Sequence, residues 1–292
     1  MRIQSPAVVV NDGSREGADR LDEVVAALAD HGIEPAFAES CEGADLPATL
    51  KRASQAHPDC LIACGGDGTI AAGAEEAMRL GLPLGVVALG TGNSFARKVG
   101  LSPGVESGVS AVASGEVISV DVGRAGEVLF LDLFSVGASA EVVRHVTPEL
   151  KRKWGRLAYL VAGAEALSDL ESFRLKVVAE GETIEVESLF VACGPGPTHG
   201  GVARLHPDAE RNDGRLYGYA LDAESKGVLA QLVAGLAVGD PGSMPGIHAF
   251  SGTHIEVSTT PSLPTNLDGE TRDPTPTVLR VEAGALKVFA PG

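Results

Sequence analysis

The sequence predicts an α/β domain, a parallel sheet with helices on both faces, followed by a β-rich, sandwich-like domain. Three observations carry that reading. Short apolar runs alternate with amphipathic helical stretches as far as Gly123. Two glycine-rich turns each follow a strand and lead into a helix. Beyond Arg124 the pattern changes to strand-length alternation punctuated by turns. At 292 residues the chain is long enough for two cores of ordinary size.

Ala7 to Val10 reads as a first buried strand, with Asn11-Asp12-Gly13-Ser14-Arg15 as the turn after it. Leu21, Val24, Val25 and Leu28 follow at helical spacing, and Gly32 ends that helix. Glu34 to Ser40 is a second strand, and a helix runs from Leu46 to Ala56. Cys60 to Cys64 is a short apolar run, the signature of a buried strand. In the stretch from Ile70 to Leu80, residues Ile70, Ala74, Ala77 and Met78 share one helical face, and Gly81 is the stop. Leu84 to Leu89 is the fourth strand, leading through Gly90-Thr91-Gly92-Asn93-Ser94-Phe95-Ala96-Arg97 into a short helix. From Val117 to Gly123, residues Ile118, Val120 and Val122 alternate with Ser119 and Asp121, which puts Asp121 off the apolar face.

The second half reads as strands with one helical excursion. Glu127 to Val136 is a strand running into Gly137, and Glu149 to Leu170 is helical, with Lys151, Arg152, Lys153 and Arg156 beside Trp154. Such a basic cluster with an aromatic can touch lipid headgroups, or it can be a solvated helix start. Arg174 to Ala179 and Ile184 to Ala192 form a hairpin across Glu180-Gly181-Glu182. Thr253 to Thr260, Leu263 to Leu267, Thr277 to Glu282 and Ala285 to Ala290 are further strands.

Composition narrows the function classes. The net charge of −16 argues against non-specific nucleic-acid binding and against simple electrostatic adhesion to anionic membranes. Cys41, Cys60, Cys64 and Cys193 show no CxxC pair and no ligand spacing with histidine, which fits small buried hydrophobes in a reducing compartment. The N-terminus reads as a strand rather than a leader, and the longest apolar stretch, Val228 to Val238, is too short to span a bilayer. A cytoplasmic protein that meets lipid only peripherally is the expectation.

Chemistry concentrates in the two glycine turns. In Gly65-Gly66-Asp67-Gly68-Thr69 the glycines let backbone approach a phosphate, and successive N–H groups at a helix start form an anion cradle. An acid in that cradle repels bare phosphate, so Asp67 calls for a metal or a proton-acceptor role. Nucleotide chemistry is the implication.

GGDGT followed by GTGNxFAR resembles the diacylglycerol kinase catalytic-domain family, which includes bacterial soluble lipid kinases, sphingosine kinases and ceramide kinases. The first string also occurs in NAD kinases, and the second narrows the choice to lipid kinases. Three more strings fall in the family's order: the segment around Asp121, similar to "iDvG"; Gly200-Gly201 through Pro207 to Asn212-Asp213-Gly214-Arg215-Leu216, similar to "GG…P.A…DDG.L"; and Asp268-Gly269-Glu270. The resemblance implies a phosphofructokinase- and NAD-kinase-like N-terminal domain, residues 1–123 completed by 277–292, and a β-rich lipid-substrate domain, residues 124–276.

The resemblance also implies an ATP- and Mg²⁺-dependent kinase acting on a lipid hydroxyl, diacylglycerol or a related lipid. Asn11, Ser40, Gly65, Gly66, Asp67, Gly68, Thr69, Gly90, Thr91 and Asn93 would hold the nucleotide. Glu270 or Asp67 would be the general base, with Asp121 and Asp268 positioning Glu270 or sharing its proton. A structural Mg²⁺ would take the Asp213 carboxylate and the carbonyls of Glu210 and Arg215, although Asn-Asp-Gly is also a common turn with no metal. The partner would be lipid at a membrane surface, with a homodimer through the β-rich domain.

The chain departs from the family at Asp12, where a proline is usual, at Ala71-Ala72, usually Asn-Glu, at Ser94, often aspartate, and at Cys193-Gly194-Pro195-Gly196, which replaces an Asn-Gly. NAD kinase, and a degenerate nucleotide- or lipid-binding regulator, are the alternatives.

Overall fold

The structure, a computed structural model, describes residues 3–11, 17–137, 171–199, 203–204, 209, 212–223 and 245–291. It divides into two compact units, Met1–Val120 with Gly284–Gly292, and Asp121–Ala283. The elements of the first are β1 (Ala7–Asn11), α1 (Gly17–Asp30), β2 (Phe37–Cys41), α2 (Leu46–Gln55), β3 (Leu61–Gly65), α3 (Asp67–Leu80), β4 (Leu84–Ala88), α4 (Ser94–Lys98) and α5 (Val105–Ser114).

The first unit is α/β. Its strands β1, β2, β3 and β4 are parallel in the order β2-β1-β3-β4, and Val288, near the C-terminus, pairs parallel with Leu84. Helix α1 packs with α5, and α2 with α3, so each face of the sheet carries a helical layer. The apolar runs explain this: Ala7 to Val10 and Ile62 to Cys64 are all 0% exposed, as strands covered on both faces must be. Val24 and Leu28 of α1, and Ala74 and Ala77 of α3, are the buried face of each helix. Gly81 ends α3 in the left-handed region at φ 69°.

Two features of this sheet place the site. Strand order reverses between β1 and β3, and ligands of open α/β sheets bind at such a switch point, beyond the carboxyl ends of the strands. Register levels those ends: Asn11 pairs with Cys41, Val10 with Cys64, and Gly65 with Ala88.

The second unit is β-rich. It contains β5 (Glu116–Ala125) from Asp121 onward, β6 (Val128–Phe130), β7 (Phe134–Gly137), β8 (Phe173–Ala179), β9 (Glu182–Pro195), β10 (Thr198–His199), β11 (Ala203–Arg204), β12 (Leu216–Asp222), β13 (Ile247–Gly252), β14 (His254–Thr260), β15 (Pro264–Leu267), β16 (Glu270–Pro274) and the first half of β17 (Thr277–Ala290). The main path is antiparallel in the order β16-β15-β7-β9-β8-β14-β17. The long β9 pairs with β8 over its first half and lies between β7 and β12 over its second. Phe130, Phe134, Val136, Leu175, Val177, Val191, Ile255, Val257 and Leu279 make up much of its core.

Three local expectations change. The run from Glu127 to Val136 is two strands, β6 and β7, because the backbone amides between them serve a carboxylate described below. The tail is one continuous strand, β17, which passes through Gly284 at φ 59° without breaking. Asp121 is 3% exposed, as buried as Val120 and Val122, so strand alternation does not turn it to solvent. The helical excursion at Glu149 to Leu170 with its basic cluster, the Gly200-Gly201 pair and the Val228 to Val238 stretch lie outside the described residues. Among the described residues no helix is long and apolar enough to cross a membrane.

Candidate active site

Both glycine turns leave neighbouring strand ends, β3 and β4, and they pack backbone to backbone. A Cβ placed on Gly90 would lie 2.5 Å from Gly66 Cα, and one on Gly92 would lie 2.5 Å from Asp67 Oδ2. At Gly90 the clash is with backbone, so the sequence must supply glycine there; at Gly92 it is with the end of the Asp67 side chain. The first turn enters α3, whose N-cap is Gly66 and whose first intrahelical bond is Ile70 N–H to the Gly66 carbonyl at 3.0 Å. The N–H groups of Asp67, Gly68 and Thr69 thus have no intrahelical acceptor, as at any helix start. With the positive end of a 14-residue helix they form an anion-accepting turn.

Around this turn the structure gathers the expected residues of the first unit. Asn11, at the end of β1, donates from Nδ2 to Thr69 Oγ1 at 2.9 Å, bridging the switch point. Ser40, half-buried, sits opposite Val10 near the end of β2. Asn93 takes the left-handed conformation at φ 52° and donates from Nδ2 to the Gly90 carbonyl at 2.7 Å, closing the second turn on itself. Its Oδ1 is buried without a hydrogen-bond partner. Thr91, at the tip of that turn, is exposed. Asp67 spends Oδ1 on the N–H groups of Ser94 at 2.8 Å and Phe95 at 3.4 Å.

The carboxylates of the second unit differ in their surroundings. Asp121 accepts the Gly214 N–H on Oδ2 at 2.8 Å, and its own N–H donates to Asn212 Oδ1 at 3.2 Å, so it clamps the Asn212-Asp213-Gly214 turn. Asp268, at φ 50°, accepts three successive amides: Leu131 at 2.6 Å, Asp132 at 2.9 Å and Leu133 at 2.8 Å. That explains the break between β6 and β7. Glu270 opens β16 two residues later, with its side chain 53% exposed and paired with Arg272.

Asp213 is exposed. Its Oδ1 accepts the Arg215 N–H at 3.1 Å and its Oδ2 the Tyr217 hydroxyl at 2.5 Å. Carboxylate oxygen is the kind of donor a hard cation takes. Glu210, expected to share that metal, lies outside the described residues. The Arg215 guanidinium bonds Glu180 at 2.8 Å and Ser251 at 3.2 Å, and holds the Glu180 carboxyl below its ordinary range. Among the described residues no three His, Cys, Asp or Glu side chains cluster as a metal site.

Several of these partners were not legible in the sequence. Gly92, Ser94 and Phe95 as neighbours of Asp67, Asn212 and Gly214 as partners of Asp121, and the Leu131–Leu133 amides all involve contacts distant along the chain. Tyr217, four residues after Asp213, was the one within reach of local inspection.

Comparison with known proteins finds matches to both units. The diacylglycerol kinase catalytic domain family matches residues 6–125, and the YegS C-terminal NAD kinase beta sandwich-like domain matches residues 133–290. A Klebsiella pneumoniae protein named "Probable lipid kinase YegS-like" is 27% identical over 90% of this chain and 89% of its own length. A Staphylococcus saprophyticus diacylglycerol kinase is 26% identical over 86% of this chain and 83% of its own. The crystal structure of a diacylglycerol kinase from Bacillus anthracis shares the fold, with a TM-score of 0.78 over 99% of this chain and 98% of that one, at 20% identity. With two glycine turns locked at adjacent strand ends and family matches over both units, this chain belongs to the diacylglycerol kinase catalytic-domain family of lipid kinases.

Proposed function

We propose that the chain transfers the γ-phosphate of ATP to the hydroxyl of diacylglycerol or a related lipid. The observation that carries this is the pair of glycine turns packed Cα against Cα, which leaves backbone N–H groups of α3 as the cradle for the nucleotide phosphates. Gly65, Gly66, Gly68 and Thr69 line the cradle, Asn11 holds Thr69 in place, and Ser40 and Thr91 offer hydroxyls from the flanking strand ends. Mg²⁺ would offset the charge of the phosphates. At the acidic turn of the second unit, Asp213 with the carbonyls of Glu210 and Arg215 would hold a structural Mg²⁺.

Glu270 is the base in this reading. Phosphoryl transfer to an alcohol needs a group that takes the hydroxyl proton as the bond to phosphorus forms. Glu270 is an exposed carboxylate at the start of a strand, ion-paired with Arg272, whereas Asp67 and Asp268 are both engaged by backbone amides. Asp268, two residues before Glu270, fixes the turn from which Glu270 projects.

The test is transfer of labelled γ-phosphate from Mg·ATP to a panel of detergent-dispersed lipids and to free NAD⁺, with Glu270→Ala run alongside. Labelled lipid from the wild type, none from the variant and untouched NAD⁺ are expected. Labelled NADP⁺ would assign the chain to NAD kinase chemistry, and nucleotide binding without any product would make it a regulator.

A further inference from the structure

Arg97 stands apart from the other arginines. With 39 acidic residues against 23 lysines and arginines, a carboxylate partner is easy for any guanidinium to find. Each of the other arginines whose side chain the structure describes has one, even the well-exposed Arg79, paired with Glu76, and Arg174, paired with Glu187. Arg97 is exposed too, yet among the described residues its guanidinium bonds the Gly92 carbonyl and no carboxylate. Helix side chains lean toward the helix N-terminus, so Arg97, in the last turn of α4, reaches back over the second glycine turn. That turn abuts the first: a Cβ on Gly92 would lie 2.5 Å from Oδ2 of Asp67, the residue that opens α3 and its row of free N–H groups. An uncommitted positive charge is thus moored beside the cradle.

The cradle has a use for that charge. Asn11, Ser40, Thr69, Thr91 and Asn93 are neutral, Asp67 has the wrong sign for a phosphate, and backbone N–H groups carry only partial charge. A nucleotide triphosphate brings several more negative charges to a protein already at −16. We propose that Arg97 is a phosphate ligand: its remaining N–H groups donate to the phosphate chain of the bound nucleotide and offset the charge that gathers on the leaving diphosphate. The proposal rests on the kinase reading above. In that step the acceptor oxygen bonds the γ-phosphorus, the bond from the γ-phosphorus to the bridging oxygen breaks with its electron pair staying on the diphosphate, and the hydroxyl proton passes to Glu270. The guanidinium takes no proton, and its planar fork matches a pair of phosphate oxygens. Mooring on Gly92 holds the fork in place before nucleotide arrives, which lowers the cost of ordering a long side chain.

The experiment compares the full wild-type chain with Arg97→Gln, Arg97→Lys and Arg20→Gln. Glutamine still has an N–H for the Gly92 carbonyl but no charge, and lysine keeps the charge without the fork. Arg20, ion-paired with Glu23 on α1, controls for the loss of one positive charge from the same unit. Thermal midpoints are read without ligand, with Mg·ATP and with inorganic tripolyphosphate, which presents the phosphates alone. ATP affinity is measured directly, and kcat and KM are measured for transfer to dispersed diacylglycerol. Arg97→Gln is expected to keep the unliganded midpoint, to bind ATP roughly 10- to 100-fold more weakly and to lose its stabilisation by tripolyphosphate. Its kcat should fall on the order of 10³-fold, the low end for an arginine in phosphoryl transfer. Arg97→Lys should recover most of the ATP affinity and part of kcat, and Arg20→Gln should match the wild type throughout.

Arg97→Gln that binds ATP and tripolyphosphate as the wild type does would overturn the proposal. An unliganded midpoint several degrees lower in both Arg97 variants would overturn it equally, because the side chain would then be a brace for the second turn. So would the same weakening in Arg20→Gln, since any positive charge in the unit would then serve. A wild type that binds ATP and tripolyphosphate but phosphorylates no lipid defeats the kinase reading instead, and the binding comparisons still decide the role of Arg97.

Discussion

A single methyl group at Gly90 should separate the two halves of the phosphate cradle. An alanine Cβ there would lie 2.5 Å from Gly66 Cα, 3.4 Å from Gly66 N and 3.1 Å from Asn93 Oδ1. Non-bonded carbons prefer about 3.5–4.0 Å, so the deficit against Gly66 is about 1 Å. Backbone lies on both sides of the clash, and no rotamer relieves it. The ends of β3 and β4 must part, and a shift of about 1 Å in a catalytic arrangement costs on the order of 10²-fold in rate. Gly90→Ala is therefore expected to lower kcat/KM for ATP roughly 100-fold, about 2.7 kcal/mol of transition-state stabilisation. Overpacking adds about 1–3 kcal/mol of lost stability, seen as a drop of a few degrees in Tm. Gly43→Ala is the control, since a Cβ there meets nothing within 4 Å. The assay is steady-state phosphate transfer beside thermal unfolding of both variants. If Gly90→Ala kept kcat/KM within about twofold of the wild type and an unshifted Tm, the close packing of the turns would not be what the cradle depends on.

Three further outcomes follow from the carboxylates and thiols. Asp268→Ala removes the acceptor of three backbone amides and is expected to cost about 3 kcal/mol or more in urea unfolding, with Asp268→Asn losing less because its oxygen still accepts and asparagine tolerates φ 50°. Equal stability of the three proteins would show that the break between β6 and β7 is held by something else. Glu270→Gln should reduce kcat by roughly 10²–10⁴-fold while leaving Tm in place, because the side chain is 53% exposed, and a Tm loss with retained turnover would reverse its assignment. Burial pushes all four thiols upward, but Cys41 is only half-buried while Cys60, Cys64 and Cys193 are fully buried, so at pH 8 an aromatic disulfide reagent should label Cys41 first and all four cysteines only in denaturant. Rapid native labelling of Cys64 would mean that the end of β3 opens to solvent.

The two fold classes and most of the first unit's elements follow from the sequence alone, because short-range patterning decides them. Apolar runs such as Ala7 to Val10, helical spacing such as Val24 and Leu28, and a stop such as Gly81 are local signals, and the strands and helices fall where those signals put them, within a few residues. The glycine turns were legible for the same reason, since a tight strand-to-helix connection shows its glycines wherever it lies. Strand order and partner choice belonged to the tertiary structure. The pairing of β1 with β3, which makes the switch point that Asn11 and Thr69 bridge, joins residues more than fifty positions apart. The same holds for the burial of Asp121 under the Asn212–Gly214 turn and for the amides that bind Asp268. The sequence names Asp67, Asp121, Asp268 and Glu270 as four similar carboxylates. Only packing, which sets three of them against backbone amides and leaves Glu270 exposed, gives them different chemistry.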